Sequence, residues 1–140
     1  MKIVADTSFL IAAFYRPLHR PSFSREVYDY LVNQEEVYIS PYILKEFREK
    51  CLKKLGFPAA DVNAYEALLK KKAQVVSPRP VRWVLPQDMT LRDAKDAPII
   101  DLAVSIGADL LISWDKDLLA LKTVDKIRIV NPKEFWGRLR

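Results

Sequence analysis

Lys2-Ile3-Val4-Ala5-Asp6 is an apolar run closed by a carboxylate, and Leu110-Leu111-Ile112-Ser113-Trp114-Asp115 repeats that arrangement near the other end of the chain. Short apolar runs bounded by turn signals predict buried strands. A carboxylate just past the end of such a strand is badly placed for a core and well placed for a crevice, because open α/β sheets bind ligands outside the carboxyl ends of their strands. Asp96 stands at a predicted helix start and Glu46 inside a predicted helix. Carboxylates that converge repel one another unless a hard divalent cation holds them, and charged oxygen ligands are what Mg²⁺ requires. The sequence points first to a metal site.

Outward from these runs, strands and helices alternate. Strands are expected at residues 2–5, 36–39, 74–76, 110–113 and 127–130, with a brief one at 81–85. A first helix through 9–14 has Ser8 as its cap and ends at Arg16-Pro17, and a second, over 25–33, has Ser24. Ser40-Pro41 opens a third helix that runs to Gly56, and Asp61 caps a fourth closing on Lys70-Lys71-Lys72. Further helices are expected from Asp96 to the Gly107 stop and over 117–122, with a last turn opened by Asn131-Pro132. Residues 77–95, with three prolines, read as an ordered loop. Strands separated by helices imply a three-layer α/β/α sandwich around a central parallel sheet of about five strands, in a single domain over 1–140.

Half of the 140 residues are hydrophobic and only three are glycine, so a real core is expected and disorder is not. No apolar run approaches the ~18 residues of a membrane span. Asp6 comes too early for a signal-peptide core, and the chain reads as soluble and cytoplasmic. A lone Cys51 excludes an internal disulfide and reads as an inert core thiol, while a single histidine excludes a Cys/His zinc site. The net charge of +5 is compatible with a polyanionic partner.

Four segments carry a resemblance. Val4-Ala5-Asp6-Thr7-Ser8, Ser40-Pro41-Tyr42-Ile43-Leu44-Lys45-Glu46, Asp96-Ala97-Pro98-Ile99-Ile100-Asp101-Leu102-Ala103 and Leu111-Ile112-Ser113-Trp114-Asp115-Lys116-Asp117, in this order, resemble the PIN-domain family. They are most similar to its VapC-type toxin ribonucleases, over nearly the whole chain. The resemblance implies a PIN-like, flavodoxin-like topology and a divalent-metal-dependent endoribonuclease, the toxin half of a toxin–antitoxin pair. It implies Asp6, Glu46, Asp96 and Asp115 as the catalytic acids around Mg²⁺ or Mn²⁺. Asp6 and Asp96 would be the most direct ligands, Asp115 a direct or water-mediated one, and Glu46 a ligand or the group that orients the attacking water. Thr7 and Ser8 match the adjacent hydroxyl position, and Ser113 matches the small hydroxyl residue two before the last aspartate, all three on the substrate side. Trp114 departs from the small or polar residue the family pattern favours there. RNA, a small antitoxin whose tail blocks the site, and a second copy of the chain are the implied partners. The chemistry agrees: phosphodiester hydrolysis needs an activated water and a stabilised leaving alkoxide, and one or two such cations in a carboxylate cage supply both.

Plainer readings stand beside each residue. Asp6 and Asp96 could be helix caps and Asp115 a turn residue. Glu49 reads as solvated helix charge and Asp93 as a turn former. Asp101, five residues after Asp96, points roughly 140° away around the helix, and Asp117 suits a cap or an outer acid. Arg16, His19, Arg20 and Arg25 follow the first helix, while Arg79, Arg82, Trp83 and Arg92 flank the loop. Interleaved arginines and aromatics suit single-stranded RNA, which makes Arg16, Arg20 and Arg82 substrate candidates against a background of ordinary surface charge. Three rival functions share the sequence features: a PIN nuclease maturing ribosomal or transfer RNA, a non-catalytic PIN-like RNA-binding or scaffold module, and a phosphotransfer domain. Against the last, Asp6 lacks the second aspartate two residues on.

Overall fold

The computed structural model describes residues 1–15, 21–83, 85 and 94–140. Among them six strands form one sheet: β1 (Lys2–Ala5), β2 (Glu36–Ile39), β3 (Gln74–Val75), β4 (Leu110–Ile112), β5 (Thr123–Val124) and β6 (Ile127–Val130), in the order β3-β2-β1-β4-β6-β5. Every pairing is parallel except the antiparallel one between β5 and β6. Val4 in β1 lies beside Tyr38 in β2 and Leu111 in β4, and all three are buried. Strands covered by helices on both faces need apolar side chains on both, hence unbroken apolar runs rather than alternation.

Among the described residues seven α-helices flank the sheet: α1 (Thr7–Phe14), α2 (Phe23–Gln34), α3 (Pro41–Glu49), α4 (Ala59–Lys72), α5 (Ala97–Ile106), α6 (Lys116–Leu121) and α7 (Pro132–Glu134). The expected α/β/α sandwich is present. Its parallel strands follow the order β3-β2-β1-β4-β6, which corrects the flavodoxin-like expectation, since flavodoxin runs 2-1-3-4-5. The sheet also has one strand more than expected. The addition is β5, two residues entered from Lys122 and left through Asp125, both at positive φ (62° and 51°). No strand forms among the described residues of 81–85.

Phe14 joins three helices, its ring meeting Tyr28 of α2 at 5.5 Å and Phe47 of α3 at 5.8 Å between centroids, edge to face. Helix α3 opens as expected, with Ser40 accepting from the Ile43 N–H and Pro41 in the first turn. It then widens into a π-helical turn, Lys50–Lys54, in which the Leu55 N–H reaches back to the Lys50 carbonyl at 3.1 Å. Gly56 closes it at φ 65°, a left-handed conformation that glycine adopts without strain. Cys51 in this turn is fully buried, and burial pushes its thiol up to about 11, as expected of an inert core cysteine.

The caps of α1, α2 and α4 differ from expectation. Asp6, not Ser8, takes the N-cap position of α1; Ser22, not Ser24, caps α2; and α4 starts behind Pro58, leaving Asp61 in its first turn. No helix among the described residues is long and apolar enough to cross a membrane.

Candidate active site

The sheet order reverses direction between β1 and β4, and there the carboxyl ends of two neighbouring strands open a crevice. The Asp6 N–H donates to the Ile112 carbonyl at 3.0 Å, carrying the β1–β4 ladder one residue further and bringing Asp6 beside Ser113. The Ser113 and Ser8 hydroxyls both donate to Asp6 Oδ2, at 2.7 and 2.8 Å. Each serine also accepts a backbone N–H from the following segment: Trp114 to Ser8 at 2.9 Å and Asp115 to Ser113 at 2.8 Å. A hydroxyl has a single proton, so with both protons on Asp6 the 3.2 Å approach of the two serine oxygens is a contact within the network. Ser8 is thus a strut between α1 and the segment after β4, which is why it is not a cap. Ser113→Ala removes a donor from Asp6 and the acceptor for Asp115 together. It is expected to destabilise the fold by about 1–3 kcal/mol and to lower activity through misplaced Asp6 and Asp115, as read by urea unfolding alongside cleavage assays.

Trp114, unexpected at its position, is tied down twice. Its backbone bonds Ser8, and its indole N–H donates to Ser24 Oγ on α2 at 2.9 Å. Asp115 caps α6, Oδ1 accepting from the Asp117 and Leu118 N–H groups at 2.8 and 3.1 Å, and Oδ2 takes part in neither bond. The helix therefore starts at Lys116, one residue earlier than expected, and Asp115 rather than Asp117 is its cap.

Glu46 and Asp96 approach from the other wall. Glu46 projects from α3 with Lys50 Nζ 3.7 Å from its Oε2. Asp96 ends a 3₁₀ turn, Ala94–Asp96, in helical conformation (φ −78°, ψ −22°), buried and making no side-chain cap bond to α5. The Tyr42 hydroxyl of α3 donates to the Lys95 carbonyl at 3.2 Å, tying that turn to the helix that carries Glu46. Asp101 points elsewhere, as expected, and accepts the Trp83 indole N–H at 2.8 Å.

Asp6, Glu46, Asp96 and Asp115 line a single cleft of ≈ 190 Å³ together with Thr7, Ser8, Ile99 and three lysines, Lys50, Lys54 and Lys95. Asp6 is 4% exposed. Burial pushes its carboxyl above the usual range, Ser113, Ser8 and the Thr7 N–H pull it back, and the charge of Glu46 pushes it up again. Among the described residues no three acidic, histidine or cysteine side chains already stand as a finished metal cage. The donor set nonetheless fits a hard cation, being carboxylate and hydroxyl oxygen throughout. The Thr7 hydroxyl fits it further: buried, lining the cleft, and without a hydrogen-bond partner among the described residues.

Arg16, His19, Arg20, Arg92 and Asp93 lie outside the described residues. Arg82 and Arg79 are exposed and line none of these walls, and Arg25 is engaged with Asp29 at 3.0 Å and lies over the Phe14 ring. The cleft lysines were not anticipated from the sequence, though Lys50 and Lys54 follow Glu46 at helical spacings of four and eight.

These features define a class, the α/β sandwich with an oxygen-rich acidic cleft at the switch point of a parallel sheet. A family model described as PIN domain matches residues 2–117, and the chain belongs to the PIN-domain family. No match is found among curated protein sequences. Similar solved structures include VapBC2 from Rickettsia felis, bound to a DNA fragment from its promoter, at TM-score 0.64 and 11% identity, covering 94% of this chain and 98% of that one. VapC20 of Mycobacterium tuberculosis, a Sarcin-Ricin loop cleaving toxin, is similar at TM-score 0.59 and 20% identity, covering 90% and 98%. PAE2754 from Pyrobaculum aerophilum is similar at TM-score 0.64 and 20% identity, covering 99% and 89%. At these identities the likeness is one of fold.

Proposed function

We propose that the chain is a divalent-metal-dependent endoribonuclease of VapC type, acting in the cytoplasm as the toxin partner of a small antitoxin. The observation that carries this reading is the gathering of Asp6, Glu46, Asp96 and Asp115 on one cleft of a PIN-domain chain. Asp6, Asp96 and Asp115 would hold Mg²⁺ or Mn²⁺, with Thr7 completing the oxygen set. Bound there, the cation supplies Lewis acidity, which activates water at neutral pH and stabilises the charge on the leaving oxygen. Glu46 orients the attacking water, its own position steadied by Lys50. Ser8 and Ser113 hold Asp6 at one oxygen and so fix the direction of the carboxylate.

The antitoxin has a matching surface. Tyr15, Phe23 and Leu55 are large apolar side chains left exposed, and all three line one apolar groove of ≈ 680 Å³ beside α1 and α2. Such a patch marks a partner site. Ser8 and Trp114 line it too, and Ser8 also lines the acidic cleft, so a partner seated there reaches the cleft's rim. A homodimer completes the proposed assembly.

The test is incubation of the purified chain with structured and single-stranded RNAs in Mg²⁺, in Mn²⁺ and in EDTA. Fragments are expected with metal alone, bearing 3′-hydroxyl ends, since water rather than the neighbouring 2′-hydroxyl attacks. Intact RNA across the panel, from folded protein with metal present, would count against the proposal.

A further inference from the structure

The acidic cleft does not end at Glu46. A second groove of ≈ 330 Å³ adjoins it, lined by Tyr42, Lys45, Glu46, Glu49, Lys50, Lys53, Lys54 and Lys95. The two share Glu46, Lys50, Lys54 and Lys95, so one continuous depression runs from four carboxylates into five lysines set against two glutamates. Helix periodicity explains the alignment: Lys50, Lys53 and Lys54 follow Glu46 by four, seven and eight residues and fall on its face of the helix. The π-helical turn Lys50–Lys54 widens that face where the lysines concentrate, and such turns recur at functional sites.

Among the described residues Lys45, Lys53 and Lys54 take part in no ion pair, whereas Lys70 on α4 pairs with Glu66 at 3.4 Å. Cations held along a concave surface without internal partners raise the local concentration of an anion. An isolated phosphate is not what this shape suits. The lysines are strung along a helix and lead away from the acids, which suits a chain of phosphates with one of them at the carboxylates. Single-stranded sites pair basic grooves with the nucleic-acid backbone in this way.

We propose that the Lys45/Lys50/Lys53/Lys54 groove is the track along which single-stranded RNA is drawn, by its backbone, into the acidic cleft. This deepens the nuclease reading and rests on it. The inner lysines, Lys50 and Lys54, border both the acids and the track. The outer pair, Lys45 and Lys53, touch the track alone and set affinity without entering the chemistry.

The experiment compares wild type, Lys45→Ala/Lys53→Ala and the control Lys71→Ala/Lys72→Ala, whose lysines are exposed on α4 and line neither groove. Binding of a fluorescein-labelled single-stranded RNA is followed by anisotropy in EDTA across a salt series, and cleavage by steady-state kinetics in Mn²⁺. The outer pair is expected to weaken binding roughly tenfold and to flatten the dependence of log K on log salt by about 0.7 per lysine removed. KM should rise by a similar factor with kcat unchanged, and the control should match wild type. If wild type cuts RNA while the outer pair binds and cuts like it, or if the control weakens as much, the track is wrong and the nuclease stands. If wild type neither binds nor cuts any RNA, both readings fall.

Discussion

Asp6→Asn is expected to abolish metal-dependent cleavage and, in the absence of metal, to raise the melting temperature. The two effects share one cause. Asp6 is a buried carboxylate whose largest perturbation is loss of solvent, with the charge of Glu46 adding to it. A carboxyl whose pKa is higher in the folded chain than in the unfolded one contributes no penalty below the ordinary value near 3.8. The penalty grows as pH rises from the ordinary value toward the raised one and is complete above it. At neutral pH, far above the ordinary carboxylate value, the metal-free wild type carries a penalty that the variant lacks. Asparagine removes the charge and keeps an amide oxygen for the Ser8 and Ser113 hydroxyls. Its NH₂ then meets the Thr7 N–H, donor against donor, but desolvation is the larger influence and relief should prevail by a few degrees.

Metal reverses the comparison. Mn²⁺ should stabilise wild type by mass action and leave the variant nearly unmoved. A cation's electrophilic contribution amounts to several kcal/mol, and each 1.36 kcal/mol is tenfold in rate, so cleavage should fall by about a thousandfold or more. Thermal melts of both proteins in EDTA and in Mn²⁺, at several pH values, read all of this. A variant less stable than wild type without metal at neutral pH would show that the burial penalty is not what governs this carboxylate.

Phe47→Ala should have the largest effect on stability. Phe47 is fully buried, sits next to Glu46 in α3, and meets Phe14 edge to face at 5.8 Å. Truncating a buried phenylalanine costs about 3–5 kcal/mol, lost transfer energy plus a cavity that neighbours fill only in part, and the aromatic contact is included in that loss. Against a total of about 5–15 kcal/mol for an ordinary domain, this removes much of the margin. Cleavage should fall as well, because α3 carries Glu46 and, through Tyr42, steadies the turn that holds Asp96. The midpoint of urea unfolding measures the loss, and a change below about 1 kcal/mol would mean that α3 is not anchored through this ring.

The layer architecture was legible because the central parallel strands β1, β2 and β4, buried on both faces, leave short consecutive apolar runs, and such runs with helical intervals between them admit few arrangements. Strand order was less legible. The family resemblance suggested flavodoxin-like order, whereas β2, β1 and β4 lie side by side, and nothing in the periodicity of an individual strand encodes its neighbour. β5 escaped notice because Thr123 and Val124 are two residues inside a polar stretch whose turns rest on positive-φ Lys122 and Asp125 rather than on glycine.

The caps failed for a tertiary reason. Ser8 and Ser24 are good capping residues in isolation, yet each hydroxyl is taken by Trp114, one by its backbone and one by its indole, and the neighbouring Asp6 and Ser22 occupy the cap positions instead. Trp114 was visible as a departure from the family pattern, but its role as a brace across α1 and α2 required the fold. Asp6, Asp96 and Asp115 were legible from their places at strand ends and a helix start, Glu46 from its place inside a helix that resembles the family pattern, and all four line one cleft. Lys50 and Lys54 were overlooked there, because lysines along a helix ordinarily need no explanation beyond solvation.

The most direct measurement is cleavage of one defined single-stranded RNA by wild type, Asp6→Asn and Asp96→Asn, side by side in Mn²⁺ and in EDTA, with the product ends determined. Cutting by wild type in Mn²⁺ alone, leaving 3′-hydroxyl ends, with both variants inactive though folded, is the predicted result. Cutting that persists in both variants, or that leaves 2′,3′-cyclic phosphate ends without metal, would contradict the assignment of this cleft.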